Sequence, residues 1–464
     1  ITIERQVSHM CMSEKNLSSR LKRLAKRMLV QGLRRMKFIL SDIGMLQRLK
    51  VTSSPVLSPP TRALEWIRAQ EVPTGGIRVH SNHAYAYPEV TGYMVPTLLH
   101  YGERDMATRF IRWLMCVQRG DGSYLGPDGK PYAFDTAQVL RGLLAAADLV
   151  PGALDAARRA ADYLLSQMVD GGRGGFIPRY SGAIPESVHL YALPPLFQAA
   201  EIFQRPEYRT AAEWCLEYYC AHQDTLQLST LTHFLGYELE ALIDLGRVDL
   251  AVPILDALRE QQAEDGSVRA KEGVEWVCAP GLAQLAVCWY KVGQWEPADK
   301  AMAWLEAHQR PSGGFFGSYG RGASYFPSVE IPWAVKFYLD AHLLRVLSFF
   351  ERNAHIFPSS VSKDDGRVQA ILSVIKPGDR VLEVGCGKGR FLKIVREIYP
   401  NTKCVGVDIS PAMLACLPEG VQGLRGSLES IPCPDNSFDV VFSVEAIEHS
   451  ANPKAAVAEM IRVT

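Results

Sequence analysis

No run of about 18 apolar residues occurs in the chain, which excludes an ordinary membrane-spanning helix. The ten cysteines form no C-x-x-C pair and no Cys/His run at zinc spacing. That excludes a zinc finger or ribbon. Net charge is also missing: 50 basic residues balance 50 acidic ones. With no global field there is no pull toward nucleic acid, and no nucleic-acid partner is expected. Four scattered cysteines, Cys386, Cys404, Cys416 and Cys433, sit in the C-terminal segment, where a reduced, cytoplasmic setting is expected. Nothing near Ile1 has the layout of a secretory signal.

What remains is ordinary globular material. Hydrophobic residues are 47% and charged residues 22%, enough apolar surface for a large core. The length of 464 residues implies two or three domains. The chain opens on Ile1 and closes at Thr464 inside a helical pattern. It therefore reads as a fragment at both ends, with Met10 or Met12 as candidate starts. Residues 1–60 form a first segment. Between 14 and 50, Arg20, Lys22, Arg23, Lys26 and Arg27 alternate with Leu21, Leu24, Met28 and Leu29. This is a basic amphipathic helix, suited to peripheral membrane contact or to packing with a solvated basic face. Residues 51–60 are a Ser/Pro-rich linker.

From 61 to 351 the apolar spacing is helical in segment after segment: 88–101, 103–118, 134–149, 152–168, 186–203, 206–222, 230–245, 248–262, 274–292, 296–309 and 328–350. A glutamine followed by polar and glycine residues closes the second helix of each pair. It recurs at Gln70, Gln118, Gln167, Gln262 and Gln309, with Gln223 in the interval but lacking the glycine. The spacing, roughly 40 to 55 residues, is that of a helix-pair repeat. Six pairs either stack as an open solenoid or close into a ring. The long apolar last helix favours closure, an all-α (α/α)6 toroid. Its Gln/Gly loops resemble those of the terpenoid-cyclase and protein-prenyltransferase toroids, and its layout resembles glycan-active (α/α)6 barrels. The D-x-D-D and zinc-ligand signatures of the former are missing, so the resemblance implies a fold and no activity.

At 352–464 the pattern changes to short strands alternating with helices. Residues 380–391 read RVLEVGCGKGRF: a buried strand, a glycine loop, and the start of a helix. Glycines are needed where backbone turns sharply against a ligand. A second strand ends at Asp408, placed to accept hydrogen bonds from ribose hydroxyls. These residues resemble class I S-adenosylmethionine-dependent methyltransferases, an α/β Rossmann-like fold. The resemblance implies that Glu383, Gly385, Gly387 and Gly389 hold the methionine part of the cofactor and Asp408 the ribose. Ile409 would flank the adenine, and the Leu428 amide would serve its ring nitrogen. Many members carry an acid where this chain has Ser427. The domain reads as truncated, since a class I fold needs about three more strands beyond Thr464. After the fourth strand comes Glu445-Ala446-Ile447-Glu448-His449. Glu445, Glu448 and His449 could together bind Mg2+, as in metal-assisted O-methyltransferases. Otherwise His449 and Glu448 are the catalytic candidates, with His449 a base or an orienting group.

The predicted inner helices of the toroid begin with acids: Glu89, Asp135, Glu186, Glu275 and Glu330, with Thr232 and His233 in the fourth. His189 lies one turn beyond Glu186. In a closed ring these positions share a rim. They either cap helix N-termini or bind a ligand, and acids among tyrosines and histidines suit a carbohydrate. The reading is an O-methyltransferase whose acceptor, a glycan, glycolipid or secondary metabolite, is selected by the toroid. Two alternatives stay open: the toroid as the main enzyme, a sugar epimerase or lyase, or as a carbohydrate-binding or scaffold module.

Overall fold

The computed structural model describes residues 57–178, 186–221 and 231–464. The basic segment at 14–50, with its membrane-contact reading, lies outside the described residues. Contacts divide the chain at Asn353 into two compact units.

Twelve α-helices are described in the first unit: α1 (Pro59–Ala69), α2 (Pro88–His100), α3 (Arg104–Val117), α4 (Ala133–Ala145), α5 (Ala153–Ser166), α6 (Leu193–Phe203), α7 (Pro206–Ala221), α8 (Thr232–Asp244), α9 (Val248–Glu260), α10 (Ala279–Lys291), α11 (Trp295–His308) and α12 (Pro332–Asn353). Their burial splits them into two sets. In α10 every residue from Ala279 to Tyr290 is buried. By contrast α3 buries one stripe, Met106, Ala107, Phe110, Ile111 and Leu114. A helix apolar all round must be enclosed, whereas a striped helix covers it from outside. Even-numbered helices are the inner set. Neighbours α2–α4, α4–α6, α8–α10 and α10–α12 pack directly, and a 3-10 turn at Glu186–Ala192 packs α6 onto α8. Contact of α12 with α2 closes the ring. The fold is the (α/α)6 toroid.

Glycine sets the approach of the inner helices. A Cβ on Gly92 would lie 2.5 Å from Cα of Val139, and one on Gly142 only 2.3 Å from the Gly92 carbonyl oxygen. α2 and α4 therefore meet backbone to backbone.

The glutamine repeat also has a tertiary cause. Gln118 donates to the Gly122 carbonyl at 3.1 Å and to Ala156 of α5 at 2.9 Å. Gln262 donates to Gly266 and to Pro297 of α11, both at 3.0 Å. Gln309 donates to Gly313 and to Pro59 of α1, both at 2.9 Å. Each glutamine thus closes its own loop and ties it to the next outer helix. The last of these joins the end of the outer layer to its beginning. Gln167 donates to Ser166 at 3.1 Å.

Three helix starts differ from the sequence reading, each because of proline. The segment 186–203 begins as a 3-10 turn and becomes α-helix only at Leu193, ahead of Pro194 and Pro195. The segment 274–292 becomes α10 only at Ala279, with Pro280 in its first turn. Before it, β1 (Val277–Cys278) pairs antiparallel with β2 (Ser318–Tyr319). The last segment starts at Pro332 instead of 328. Proline lacks the N–H that an interior helical position donates, so it is placed in the first turn. As a result Glu275 and Glu330 lie on loops rather than on inner helices.

The second unit holds a parallel sheet of β3 (Arg380–Val384), β4 (Lys403–Asp408), β5 (Val421–Arg425) and β6 (Val440–Phe442) in the order β5-β4-β3-β6. Around it run α13 (Gly366–Leu372), α14 (Arg390–Ile398), α15 (Pro411–Leu414) and α16 (Pro453–Val463). Val381, Leu382, Glu383 and Val384 are all buried, as a central parallel strand covered on both faces requires. The strand order reverses between β3 and β6, and that crevice is where such sheets bind ligands.

Candidate functional site

β3 delivers the loop Gly385-Cys386-Gly387-Lys388-Gly389 to the carboxyl edge of the sheet. The Gly385 and Cys386 amides donate to the Val407 carbonyl at 2.8 and 3.0 Å, which pins the loop to β4. All three glycines have positive φ: 72°, 51° and 70°. A Cβ on Gly385 would meet Cβ of Ala446 at 2.4 Å and Cδ2 of Leu428 at 3.6 Å. At Gly389 it would meet Leu417 at 2.7 Å. At Gly387 it would meet nothing within 4 Å. The middle glycine therefore faces open space. Asp408 ends β4, and its carboxylate accepts from the Gly387 amide at 2.8 Å and the Ser410 amide at 3.0 Å.

Glu383 is 1% exposed, and burial raises its pKa well above the ordinary carboxylate range, with Arg390 opposing. Its Oε2 is sealed in with no hydrogen-bond partner among the described residues. A buried acceptor left over in this way calls for a donor. An orphaned carboxylate oxygen beneath a glycine loop with one open face fits an amino-acid-bearing nucleoside. Ile409 and Leu428 are half-buried beside this loop and β4. The structure therefore brings together the cofactor residues read from the sequence.

The proposed metal set is not assembled. Glu445 accepts from Arg367 and, at 2.5 Å, from Arg390, at a left-handed φ of 54°. Two guanidiniums already take both of its oxygens, while Glu448 and His449 are exposed on the 3-10 turn Ile447–His449. Among the described residues no group of three acids, cysteines or histidines is placed to hold a metal ion. Mg2+ is accordingly withdrawn. A chelator is expected to leave cofactor binding and methyl transfer unchanged. A loss restored by magnesium would restore the metal reading. Sequence reasoning passed over the two arginines. Arg390, directly after Gly389, was visible as a first-turn residue, but Arg367 lies 78 positions before Glu445 and carries no local signal.

In the toroid the structure gathers two of the six acid and histidine candidates. Glu89 and Asp135 are buried, 8% and 4% exposed. They start adjacent inner helices, and the charge of Asp135 adds to the burial that favours neutral Glu89, while Asp128 acts in the same direction on Asp135. Burial is the main cause for both, lifting Asp135 to about 7 and Glu89 well above its usual range, with Lys336 opposing. Tyr87 donates its hydroxyl to Asp135 Oδ2 at 2.7 Å. The other candidates are engaged elsewhere. His189, buried and stacked on Phe176 at 4.9 Å, lies 3.3 Å from Glu186. Glu275 is exposed on its loop. Glu330 accepts from Trp66 and Ser312, both at 2.5 Å, and latches α1 to the loop before α12.

This acid pair has a pH signature. In an unfolded chain both acids ionise near pH 4. In the folded ring Asp135 keeps its proton to about pH 7, and Glu89 is shifted in the same direction by its burial. The folded state then binds more protons across that interval, so stability falls as pH rises from about 4 through about 7. Asp135→Asn is expected to flatten that slope. Melting curves at pH 5 and pH 8 measure it, with about 2–4 °C for each kcal/mol. An equal drop in both proteins would show that Asp135 ionises normally.

Residues 382–464 match the sequence profile of a family described as a methyltransferase domain. Residues 382–464 are a methyltransferase domain. The family uses S-adenosylmethionine. Over 124 residues the chain is 30% identical to malonyl-acyl-carrier-protein O-methyltransferase of Serratia marcescens, covering 26% of this chain and 48% of that protein. It is 33% identical over 98 residues to norajmaline N-methyltransferase of Rauvolfia serpentina, covering 19% of this chain and 33% of that one. The chain thus spans less than half the length of these curated relatives. Among solved structures, an unsaturated glucuronyl hydrolase specific for heparin aligns at 14% identity and a TM-score of 0.48, covering 62% of this chain and 95% of that chain. The ring assignment rests on the closed helix contacts described above.

Proposed function

We propose that the chain transfers the methyl group of S-adenosylmethionine to an oxygen of a glycan, glycolipid or secondary metabolite selected by the toroid. The observation that carries the first half is the open face at Gly387, with Asp408 below it and the orphaned Glu383 oxygen behind it. In this reading the Gly385–Gly389 loop and Glu383 hold the methionine part, and Asp408 holds the ribose. Ile409 and Leu428 enclose the adenine. When bound, the cofactor supplies the electrophilic methyl group on its sulfonium. The chain's own contribution is alignment and exclusion of water. His449, exposed after β6, is assigned to take the acceptor's proton, with Glu448 beside it.

The test is calorimetry of the chain with S-adenosylhomocysteine, followed by transfer of labelled methyl to extracted glycans and metabolites. No cofactor binding would overturn the reading. Binding with label appearing only on nitrogen would overturn the oxygen acceptor. A second reading, with the toroid as a sugar epimerase or lyase, draws support from the buried Glu89–Asp135 pair. In either reading the protein is placed in the cytoplasm.

A further inference from the structure

Among the described buried carboxylates of this ring, Glu238 accepts from Ser187 and Glu240 takes Lys291 at 2.9 Å, each leaving its second oxygen over. Glu89 has neither oxygen engaged. It lies nine-tenths buried on the inner helix α2, yet no hydrogen bond to its carboxylate is found among the described residues. It stands in the first turn of α2, where the helix end favours an acid, but that leaves its carboxylate without a hydrogen bond. A group so enclosed and left without a donor is costly unless something else supplies one.

Around it stands a wall of rings. Tyr93, Tyr237 and Tyr325 are close enough to Glu89 to feel its charge. Tyr237 packs on Phe337 with centroids 5.7 Å apart, and His233 lies 4.7 Å from Tyr237 and 5.6 Å from Tyr325. Trp333 donates to the Tyr325 hydroxyl at 3.2 Å and meets Phe326 edge-on at 5.4 Å. These rings come from α2, α8, α12 and the loop before α12. Phe326 is held at φ 46°, a conformation unusual for a bulky residue. Such strain collects where a side chain must meet a ligand.

The positive group nearby, Lys336, is bound to Asp340 at 2.8 Å and lies over the Phe337 ring at 3.8 Å. It is therefore not free to receive an anion. Asp135, with its Tyr87 donor, adds a second acid. Two acids and apolar ring faces do not suit a carboxylated or phosphorylated ligand. They suit a compact ring whose hydroxyls or amine donate to carboxylates while its C–H face lies on aromatics.

We propose that the interior of the toroid binds one neutral or basic hexopyranose-like ring, with Glu89 and Asp135 accepting from its hydroxyls or ring nitrogen and Phe326 and Trp333 forming the apolar wall. This rests on the reading of the toroid as the sugar-selecting unit and names its site. The experiment titrates the full chain with 1-deoxynojirimycin, a basic sugar mimic, and with methyl glucoside, a neutral one. S-adenosylhomocysteine is titrated on the same samples. The expected result is binding of at least one sugar probe, weakened about 10-fold or more by Glu89→Ala, about the cost of leaving one buried hydrogen bond unmade. S-adenosylhomocysteine affinity should stay unchanged. Phe326→Gly provides a second variant. It removes the ring while the relieved left-handed strain offsets part of the lost packing, so it should still fold, as a melting curve checks, and weaken the sugar probe. Failure of wild type to bind either probe, or binding that survives both substitutions, would overturn the site. Either result can occur with cofactor binding intact, which separates it from failure of the methyltransferase reading.

Discussion

Gly387→Val is expected to abolish cofactor binding while leaving the fold in place. Gly387 has φ 51°, and a Cβ there meets no protein atom within 4 Å. The cost to folding is therefore the left-handed strain alone, about 1–2 kcal/mol. The cost to binding is larger. The added methyl groups project into the open face that the cofactor must occupy, over an amide already committed to Asp408 at 2.8 Å. S-adenosylhomocysteine affinity should fall by at least about 100-fold, or about 2.7 kcal/mol. Asp408→Ala should weaken it by about 1.5–3 kcal/mol, the usual worth of a charge-assisted bond. Part of that loss would come from freeing the Gly387 and Ser410 amides. Calorimetry beside a melting curve separates the two effects. Wild-type affinity in both variants would mean that this loop does not carry the cofactor.

The second large effect lies where the ring closes. A Cβ on Gly313 would sit 2.1 Å from the Arg62 carbonyl oxygen and 2.5 Å from its carbon. Both are backbone atoms of α1, so no side chain can swing aside. Gly313 also has φ 97°. Its neighbour Gln309 accepts from Arg62 at 2.6 Å and donates to Pro59, so a shift of α1 would break both bonds. Gly313→Ala should destabilise the toroid by more than about 3 kcal/mol, in the range of severe overpacking combined with backbone strain. Gly129→Ala is the control. Gly129 has φ 75° but nothing within 4 Å, so it carries the strain without the overlap and should cost about 1–2 kcal/mol. Equal losses in the two variants would show that the α1 contact is not tight.

The methyltransferase loop was legible because its signal is local. Strand, glycines, helix and the acid after the next strand lie within one short stretch, and each residue type follows from what the backbone must do there. The helix-pair repeat was legible for the same reason, as a period in apolar spacing and in glutamine position. The helix starts at Leu193, Ala279 and Pro332 were misplaced, because apolar spacing runs on through a proline that the helix must put in its first turn. The Mg2+ site failed differently. Glu445, Glu448 and His449 have a plausible spacing, but spacing does not reveal that Arg367 takes Glu445 first. Two like-signed guanidiniums near one carboxylate leave no place for a cation.

By itself the sequence determined the two fold classes, the glycine loop with Asp408, and the recurrence of glutamine at the loop turns. Those features depend on the chain within a few residues of each position, through backbone conformation, hydrogen-bonding capacity and apolar period. Tertiary structure alone decided that the ring closes, since only packing of α12 on α2 distinguishes a toroid from a solenoid. It also decided which of the rim acids meet. Glu89 and Asp135 share an environment because Gly92 and Gly142 let α2 and α4 touch, while Glu330 was drawn away by Trp66, 264 positions distant. Burial and pairing of a charged group depend on residues remote in the chain, and no local pattern carries them.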